Sequence, residues 1–232
     1  MVKVLNSFED LGKAVYNLHQ YGVTSHHDPI KNWDMPQIND LLCNFPKDAR
    51  ILDMGYAGRN VLRLCYEKGF TNCIGIDLKV PIYDKVAQLW FTLRHGGKKR
   101  YLLMKMNLMK TAFPDSYFDV VIALSVIEHG VNIGAFLKET SRILKNKGVL
   151  FLTTDYWEPK INTDELYLYG LRWNIFSKEE LEHLIRSAKD YGFSSTNDEI
   201  SPVSEPFVHY LGKNYTFASV TMKKEFGSGI ET

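Results

Sequence analysis

Apolar runs and segments of helical periodicity alternate along most of the chain. Five short runs predict β-strands, at residues 50–53, 73–77, 101–106, 120–124 and 149–153. The fourth run is apolar throughout, which is typical of a strand covered on both faces. Between the runs, apolar residues recur every three or four positions and predict helices. The alternation predicts an α/β fold with a mostly parallel sheet and helices on both of its faces.

The last third of the chain resumes this pattern after an interruption. Residues 154–175 are polar, aromatic and aperiodic, and we interpret them as a loop with one helical turn. A helix follows, because Ser177 and Glu180 have the spacing of a capping box in front of apolar residues at helical spacing. Two further strands, near residues 195–200 and 215–222, complete the predicted sheet.

Length and composition predict one domain with an extension. A chain of 232 residues with 45% hydrophobic residues can bury one substantial core. We divide it into an N-terminal helical extension at residues 1–47, an α/β domain at residues 48–226 and a flexible tail at residues 227–232. Pro29 and Pro36 break the extension into short pieces.

Charge and cysteine usage exclude several classes of partner. The net charge is +1 and the longest basic stretch is Lys98-Lys99-Arg100, so nucleic acid is not expected as the main substrate. Three cysteines without paired spacing predict reduced thiols in a cytoplasmic protein. No apolar run approaches the roughly 20 residues of a membrane helix, so no membrane partner is expected. The sequence does not indicate an oligomeric state.

Two acids end neighbouring predicted strands beside a glycine turn. Asp53 ends the first strand, and Gly55 then lets the backbone pass close to a ligand. Asp77 ends the second strand, where it is placed to accept hydrogen bonds from ribose hydroxyls. The turn lacks the third glycine of G-x-G-x-x-G, which disfavours a dinucleotide-dependent oxidoreductase. The pattern predicts a nucleotide-binding βαβ unit.

Four segments together resemble the class I S-adenosylmethionine-dependent methyltransferases, in the branch that acts on small molecules and quinones. They are Ile51–Gly58, Ile74–Asp77, Phe113–His129 and Glu139–Gly148. The resemblance implies a Rossmann-like sheet of seven strands whose last strand is antiparallel, and S-adenosylmethionine as the cofactor. The cofactor contacts that it implies come from Asp53, Gly55, Tyr56, Ala57, Gly58, Asp77, Leu78, Asn107, Leu108 and Ser125.

The chain departs from that family at three positions in or next to the expected cofactor site. Ala57 and Arg59 stand where the family usually has glycine, and Asn107 stands where it commonly has an acid. An amide carbonyl can accept the same hydrogen bond as the acid. The departures support an alternative function, a methyltransferase fold that has lost catalysis and serves as a binding module. A nicotinamide-dependent oxidoreductase is the second alternative.

Methyl transfer from a sulfonium requires positioning and proton removal more than a covalent nucleophile. His129 is the candidate base, since its ordinary pKa lies near neutrality, and Asp155 is the second catalytic candidate. Candidate acceptor contacts are aromatic or ionisable residues in aperiodic segments: His26, His27, Trp33, Tyr156, Trp157 and His209. We expect no metal, because Ser125 stands where metal-using relatives place a second glutamate.

The expected reaction is methylation of an oxygen on a small molecule or a saccharide. The segment Leu124–Ile127 differs from the Asn-Pro-Pro-Tyr or Asp-Pro-Pro-Tyr of the amide- and amine-methylating branches. A carbon acceptor remains open. The resemblance also implies that the N-terminal extension acts as a lid, so residues 25–34 and 154–175 are expected to form the mouth of the substrate site.

Overall fold

A computed structural model describes residues 1–23, 25–26, 28–56, 60–94, 96 and 101–225. Its strands are β1 (Val2–Val4), β2 (Arg50–Met54), β3 (Asn72–Asp77), β4 (Leu102–Lys105), β5 (Phe118–Leu124), β6 (Leu144–Tyr156), β7 (Tyr167–Leu168), β8 (Leu171–Arg172), β9 (Phe193–Ser194), β10 (Val208–Tyr210) and β11 (Lys213–Lys224). Its helices are α1 (Phe8–Gln20), α2 (Met35–Leu42), α3 (Asn60–Glu67), α4 (Ile82–Arg94), α5 (Ile133–Ile143) and α6 (Lys178–Lys189), with a 3-10 helix at Pro29–Asn32.

One twisted sheet organises the domain. Its main path has seven strands in the order β4-β3-β2-β5-β6-β11-β1, and β9 and β10 also pair with β11. Strands β2 to β6 are parallel to one another, and β11 is antiparallel to β6. The strand order reverses between β2 and β5, which is where open α/β sheets bind ligands. The predicted α/β class, the seven-stranded sheet and the antiparallel last strand are confirmed.

The edge of the sheet differs from the prediction. No strand forms at residues 195–200, where we expected one, and β9 covers only two residues before that segment. The chain's first residues occupy the edge instead, since Val2 and Val4 pair with β11 and bury their side chains. An edge strand of three residues carries too short an alternation to be recognised in a sequence.

Apolar clusters cover both faces of the sheet and a third closes one end. The first contains Leu152, Phe136 and Leu184, and the second contains Ile51, Leu62 and Phe151. The third, which we call the end cluster, contains Leu5, Leu11, Trp33, Trp173, Ile175, Phe207, Val208, Tyr215 and Phe217. It joins the N-terminal extension to the segment after β6 and to the β10–β11 hairpin.

The segment between β6 and α6 is a loop, as predicted, but a short β7–β8 hairpin replaces the expected helical turn. The predicted capping box at the start of α6 is confirmed. Ser177 Oγ accepts a hydrogen bond from the Glu180 amide at 3.2 Å, and Glu180 Oε2 accepts one from the Ser177 amide at 2.8 Å. The box therefore sets the point at which the chain leaves the loop.

Helix α4 has its apolar side turned outward. Ile82 is 77% exposed and Leu93 is 73% exposed, whereas Asp84 is the buried residue of the helix. The helical periodicity in this segment was correct, but it does not tell which side of the helix faces the protein. None of the helices within the described residues combines the length and the apolar character needed to cross a membrane.

Candidate active site

The carboxyl ends of four parallel strands bring the predicted polar residues to one edge of the sheet. Asp53 lies near the end of β2 and Asp77 ends β3, beside the strand reversal. Residues 125–129 follow β5, and Asp155 is the second-last residue of β6. Because parallel strands all end at the same edge, residues far apart in the sequence meet there.

The turn after β2 requires glycine at its first position. Gly55 has a φ of +74°, and a Cβ at this position would lie 2.5 Å from Val126 Cγ2. Its amide donates to the Ile76 carbonyl at 2.7 Å, which ties the turn to β3. Facing it, Ser125 has a φ of +49°, and its amide donates to the Thr153 carbonyl at 3.2 Å. A left-handed conformation in a non-glycine residue is uncommon and is held here by β6.

Asp53 and Asp34 form the first pair of acids at the site. Burial raises the pKa of Asp53 to about 8, and the charges of Asp34 and Asp77 add to the rise. Burial also raises the pKa of Asp34 to about 7, against the opposing charge of Lys31. Oδ1 of Asp34 is buried and has no hydrogen-bond partner within the described part of the chain. Both carboxyl groups therefore lie where a cationic ligand group would stabilise their ionised form.

Glu128 and Asp155 form the second pair. Burial, followed by the charge of Asp155, raises the pKa of Glu128 well above its ordinary value, and its Oε2 accepts a long 3.4 Å hydrogen bond from Thr154. Burial raises the pKa of Asp155 to about 6, although the indole of Trp173 donates to its Oδ2 at 2.7 Å and Lys31 is near. The two carboxyl groups thus share one weakly solvated region under the end cluster.

His129 follows Glu128 in the turn after β5. Burial, followed by the charge of Lys31, lowers the pKa of its imidazole, so the ring is neutral at physiological pH. Its Nδ1 is buried without a hydrogen-bond partner among the residues that the structure describes. The ring of Tyr169 approaches edge-on, with centroids 5.7 Å apart. A neutral imidazole with an uncommitted nitrogen is able to take a proton.

The extension covers this edge of the sheet. Lys31 lies over the Phe217 ring, 4.8 Å from its centroid, and is close enough to influence Glu128 and Asp155. Asn32 is fully buried and holds the loop: its Oδ1 accepts from the His26 amide at 2.7 Å. Its Nδ2 donates to the carbonyls of His26, Asp28 and Pro29 at 3.4, 3.3 and 3.1 Å. The described residues of this segment, 25–26 and 28–34, therefore lie over the same edge as the acids.

Three residues expected at the cofactor lie in other surroundings. The ring of Tyr56 is part of the second apolar cluster, and its hydroxyl lies 3.4 Å from Asp84 Oδ2, so only its backbone faces the turn. Leu108 packs against the first cluster. Asn107 is exposed, and its Oδ1 already accepts from the Met109 amide at 2.9 Å. That carbonyl would have to be shared before it could accept from an adenine amino group.

Asp77 and Leu78 lie at the rim. Oδ1 of Asp77 accepts a hydrogen bond from the Lys79 amide at 3.0 Å, and Leu78 is 48% exposed. One carboxylate oxygen of Asp77 is therefore committed to the chain and the other is available. Ala57, Gly58 and His27 lie outside the described residues.

The expected acceptor contacts are divided between different environments. Tyr156 is buried in the first apolar cluster, on the opposite face of β6 from Asp155, so the expectation that it lines an acceptor site does not fit its position. Trp33 belongs to the end cluster, and Trp157 packs against that cluster. Nδ1 of His26 accepts from the Asp28 amide at 3.1 Å. His209 is exposed, with Nδ1 2.8 Å from Asn214 Oδ1.

Several residues of the site were not predicted. Asp34 and Trp173 fall inside the two segments predicted to form the substrate mouth, residues 25–34 and 154–175, but neither was predicted individually, because both segments lack periodicity. Asn32 was not predicted either, because its hydrogen bonds to residues 26, 28 and 29 form only once the loop has its folded shape. Asp34 precedes α2, but its side chain makes no capping hydrogen bond, so a helix-start signal would not have identified its place in the site.

The remaining features do not add a second catalytic site. Within the described residues, no three His, Cys, Asp or Glu side chains converge to hold a metal ion. A groove of 710 Å³ beside α6 is lined by Ile127, Gly130, Trp173 and His183, among others, but not by His129 or Asp155. Trp173 thus borders both the groove and the acids.

A family model described as a methyltransferase domain matches residues 31–197. The chain belongs to this methyltransferase family. The predicted family is confirmed, and membership in it disfavours the nicotinamide-dependent oxidoreductase. The matched region contains the acids, His129 and all of α4. The extension before Lys31 lies outside it.

Two relatives are similar to parts of the chain. The ubiquinone biosynthesis O-methyltransferase of Rickettsia bellii is 28% identical over 170 residues, covering 72% of this chain and 65% of that protein. The chain thus spans less than two thirds of the length of this relative. An uncharacterised protein of Methanocaldococcus jannaschii is 35% identical over 85 residues, 37% of this chain and 33% of that protein.

Solved structures show the same fold at low identity. A putative sarcosine dimethylglycine methyltransferase from Galdieria sulphuraria aligns with a TM-score of 0.64 and 13% identity, covering 92% of this chain and 98% of that one. The 1,6-didemethyltoxoflavin-N1-methyltransferase of Burkholderia thailandensis, solved with S-adenosylhomocysteine, aligns with a TM-score of 0.60 and 18% identity over 93% of this chain and 87% of that one.

Proposed function

We propose that this methyltransferase methylates a hydroxyl oxygen of a small ring-containing molecule, such as a phenol or a saccharide, with His129 as the general base. The observation that carries the proposal is the state of His129: its pKa is lowered by burial, and its Nδ1 has no partner among the described residues. An aliphatic hydroxyl needs a base in the transition state, and a neutral imidazole supplies one near neutral pH.

The cofactor residues are those that surround the reversal of strand order. S-adenosylmethionine supplies an electrophilic methyl group, which is bound to a sulfonium. Loss of that methyl group leaves a neutral thioether. We assign the ribose hydroxyls to the free carboxylate oxygen of Asp77, and the close passage of the cofactor to the turn at Gly55, where no Cβ fits. Asp53 is assigned to the cationic end of the cofactor, because its buried carboxyl has neighbouring acids in place of a cation.

Proton transfer follows from the placement of His129. In the proposed reaction, the acceptor hydroxyl gives its proton to an imidazole nitrogen while its oxygen forms the new bond to the methyl carbon. The bond from that carbon to sulfur breaks, and the imidazolium later returns the proton to water. Asp155 positions Trp173, whose indole donates a hydrogen bond to it.

The acceptor class rests on the end cluster. Trp157, which is only partly buried, packs against this cluster, beside acids and Lys31. Aromatic side chains next to polar groups suit a ring that carries hydroxyls. The named function of the Rickettsia bellii relative is an O-methylation. A cytoplasmic location stays a prediction.

The test is the formation of S-adenosylhomocysteine with a panel of phenols, sugars, amines and carbon acids. We expect turnover with hydroxyl acceptors, and we expect His129→Ala to reduce it about a hundredfold or more, the usual scale for loss of a general base. His129→Gln, which keeps the polar shape, should be as slow. Affinity for S-adenosylhomocysteine should be unchanged in both variants.

Two results would contradict the proposal. Turnover confined to amines or carbon acids would remove the oxygen acceptor. Wild-type turnover of His129→Ala with an aliphatic alcohol would remove the base and direct attention to Asp155.

A further inference from the structure

Helix α4 is amphipathic in the reverse sense. Its outward side carries large apolar residues that are more than half exposed: Ile82, Tyr83, Val86, Leu89, Trp90 and Leu93. Spacings of three and four residues place them along one continuous stripe of the helix. We call this stripe the α4 face. A stripe of this kind in water is unfavourable, and it indicates a partner surface.

Polar contacts hold the opposite side of the helix against the domain. Asp84 is 3% exposed, and its Oδ2 lies 3.4 Å from the Tyr56 hydroxyl. Gln88 Nε2 donates to the Tyr101 carbonyl at 3.1 Å. A rotation that buried the apolar stripe would break both contacts and expose Asp84. The orientation of the α4 face is therefore set by the fold.

Basic residues are concentrated in the segment that contains α4. Residues 78–101 contain six Lys or Arg and one acid, Asp84, which is buried, whereas the whole chain has a net charge of +1. Lys85 and Arg94 are exposed on the helix itself. The Arg94 guanidinium stacks on Trp90, 4.2 Å from the ring centroid, so a cation borders the apolar stripe. Three of the six basic residues, 98–100, follow the helix in the sequence.

We propose that the α4 face docks this protein onto the surface of a membrane that contains anionic lipids. A helix with Trp and Leu on one side and Lys and Arg on its borders lies in the interface between headgroups and acyl chains. Its apolar side enters the acyl region, while the cations contact the anionic headgroups. This docking needs no membrane-spanning segment, and it does not depend on the acceptor proposed above.

A second copy of the chain is the competing occupant, and the charges disfavour it. A two-fold contact places the same surface of both copies together, so it would bring the basic borders of two α4 faces against each other. An anionic lipid surface neutralises the same borders. Charge complementarity therefore selects the membrane.

The test is co-sedimentation with vesicles of phosphatidylcholine mixed with phosphatidylglycerol, and with vesicles of phosphatidylcholine alone. We expect the full-length protein to bind the mixed vesicles at least about tenfold more strongly, with loss of binding at high salt. The double variant Leu89→Glu/Leu93→Glu should reduce binding to mixed vesicles at least about tenfold. Lys85→Glu/Arg94→Glu should weaken it in the same direction.

The matched control is Tyr16→Glu, which changes another exposed apolar residue, on α1. It should bind vesicles as the wild type does. Affinity for S-adenosylhomocysteine shows that each variant is folded. The proposal is overturned if the wild type does not bind mixed vesicles, or if the Leu89/Leu93 double variant binds them equally well. It is also overturned if the wild type is a dimer without lipid affinity and that variant is a monomer.

Discussion

Carboxyl groups occur at both ends of the parallel strands, and their surroundings shift the pKa values in opposite directions. At the amino end, Glu139 faces Arg142, with N–O distances of 2.7 and 3.0 Å, and also accepts from the Thr111 amide at 2.7 Å. Burial would raise the pKa of Glu139, but these hydrogen bonds outweigh it and leave the pKa lowered. At the carboxyl end, Asp53 and Asp34 have raised pKa values.

The difference separates a structural network from a binding site. The Arg142 network is complete within the protein, so its charges stabilise the fold. Among the described residues, Lys31 is the cation that acts on the acids at the carboxyl end, and Oδ1 of Asp34 has no hydrogen-bond partner. Ionising them costs free energy until a ligand supplies positive charge.

The largest expected effect is the loss of cofactor affinity in the variant Asp53→Asn. The variant keeps the shape of the side chain but cannot ionise, so affinity for S-adenosylmethionine should fall about tenfold to a hundredfold, the scale of a hydrogen bond to a charged group. The melting temperature of the ligand-free protein should not fall. Calorimetric titration and thermal melts measure the two quantities. Wild-type affinity in this variant would show that Asp53 does not meet the cofactor.

Arg142→Ala should have the inverse effect, on stability alone. It leaves Glu139 buried with only Thr111, which would cost about 3 to 5 kcal/mol for a fully buried pair. The Arg142 side chain is 33% exposed, so we expect about 2 kcal/mol and a drop in melting temperature of about 4 to 8 °C. Arg142→Lys should lose less. A large change in cofactor affinity would contradict the separation of the two groups.

The pH dependence of stability should show the free-energy cost of ionising the buried acids at the carboxyl ends of the strands. Burial raises the pKa of Asp155, Asp34 and Asp53 to about 6, 7 and 8, above the ordinary 3.8. Such acids bind protons more tightly in the folded state, so their contribution is fully present below about pH 4 and is lost as the pH rises through 6 to 8. Ligand-free protein should therefore melt at a lower temperature at pH 8.5 than at pH 5.

A control isolates one acid in this titration. Asp53→Asn should reduce the loss of stability between these pH values, whereas Glu139→Gln should leave its slope unchanged. A melting temperature that rises steadily over the same range would contradict the raised pKa values.

The smallest effect is expected in residues 25–34, the segment predicted to act as a lid. Asn32→Ala removes the hydrogen bonds that hold residues 26–32, and the loss of stability should be about 1 kcal/mol. Amide exchange of residues 25–34 should become faster, with less protection by S-adenosylhomocysteine. Asn44→Ala, which removes an exposed hydrogen bond to the Asp40 carbonyl, is the control and should leave the lid unchanged. Equal protection in the Asn32 and Asn44 variants would show that Asn32 does not hold the lid.

The meeting of Asp53, Asp77, His129 and Asp155 at one edge could be predicted, because parallel strands all place their carboxyl ends on the same side. The position of Tyr156 could have been predicted as well. Successive side chains of a strand face opposite ways, so Asp155 and Tyr156 cannot both face the site. Asp155 reaches Trp173, and Tyr156 is buried in the core.

Local pattern alone therefore determined the α/β class, the glycine turn, the capping box of α6 and the acids at the strand ends, since each depends on residues a few positions apart. Tertiary structure decided which side of α4 faces water, which strand forms the sheet edge, and that Asp34 lies beside Asp53. These outcomes depend on contacts between distant segments. Periodicity shows that a helix has two unlike sides, but only its neighbours decide which side is buried.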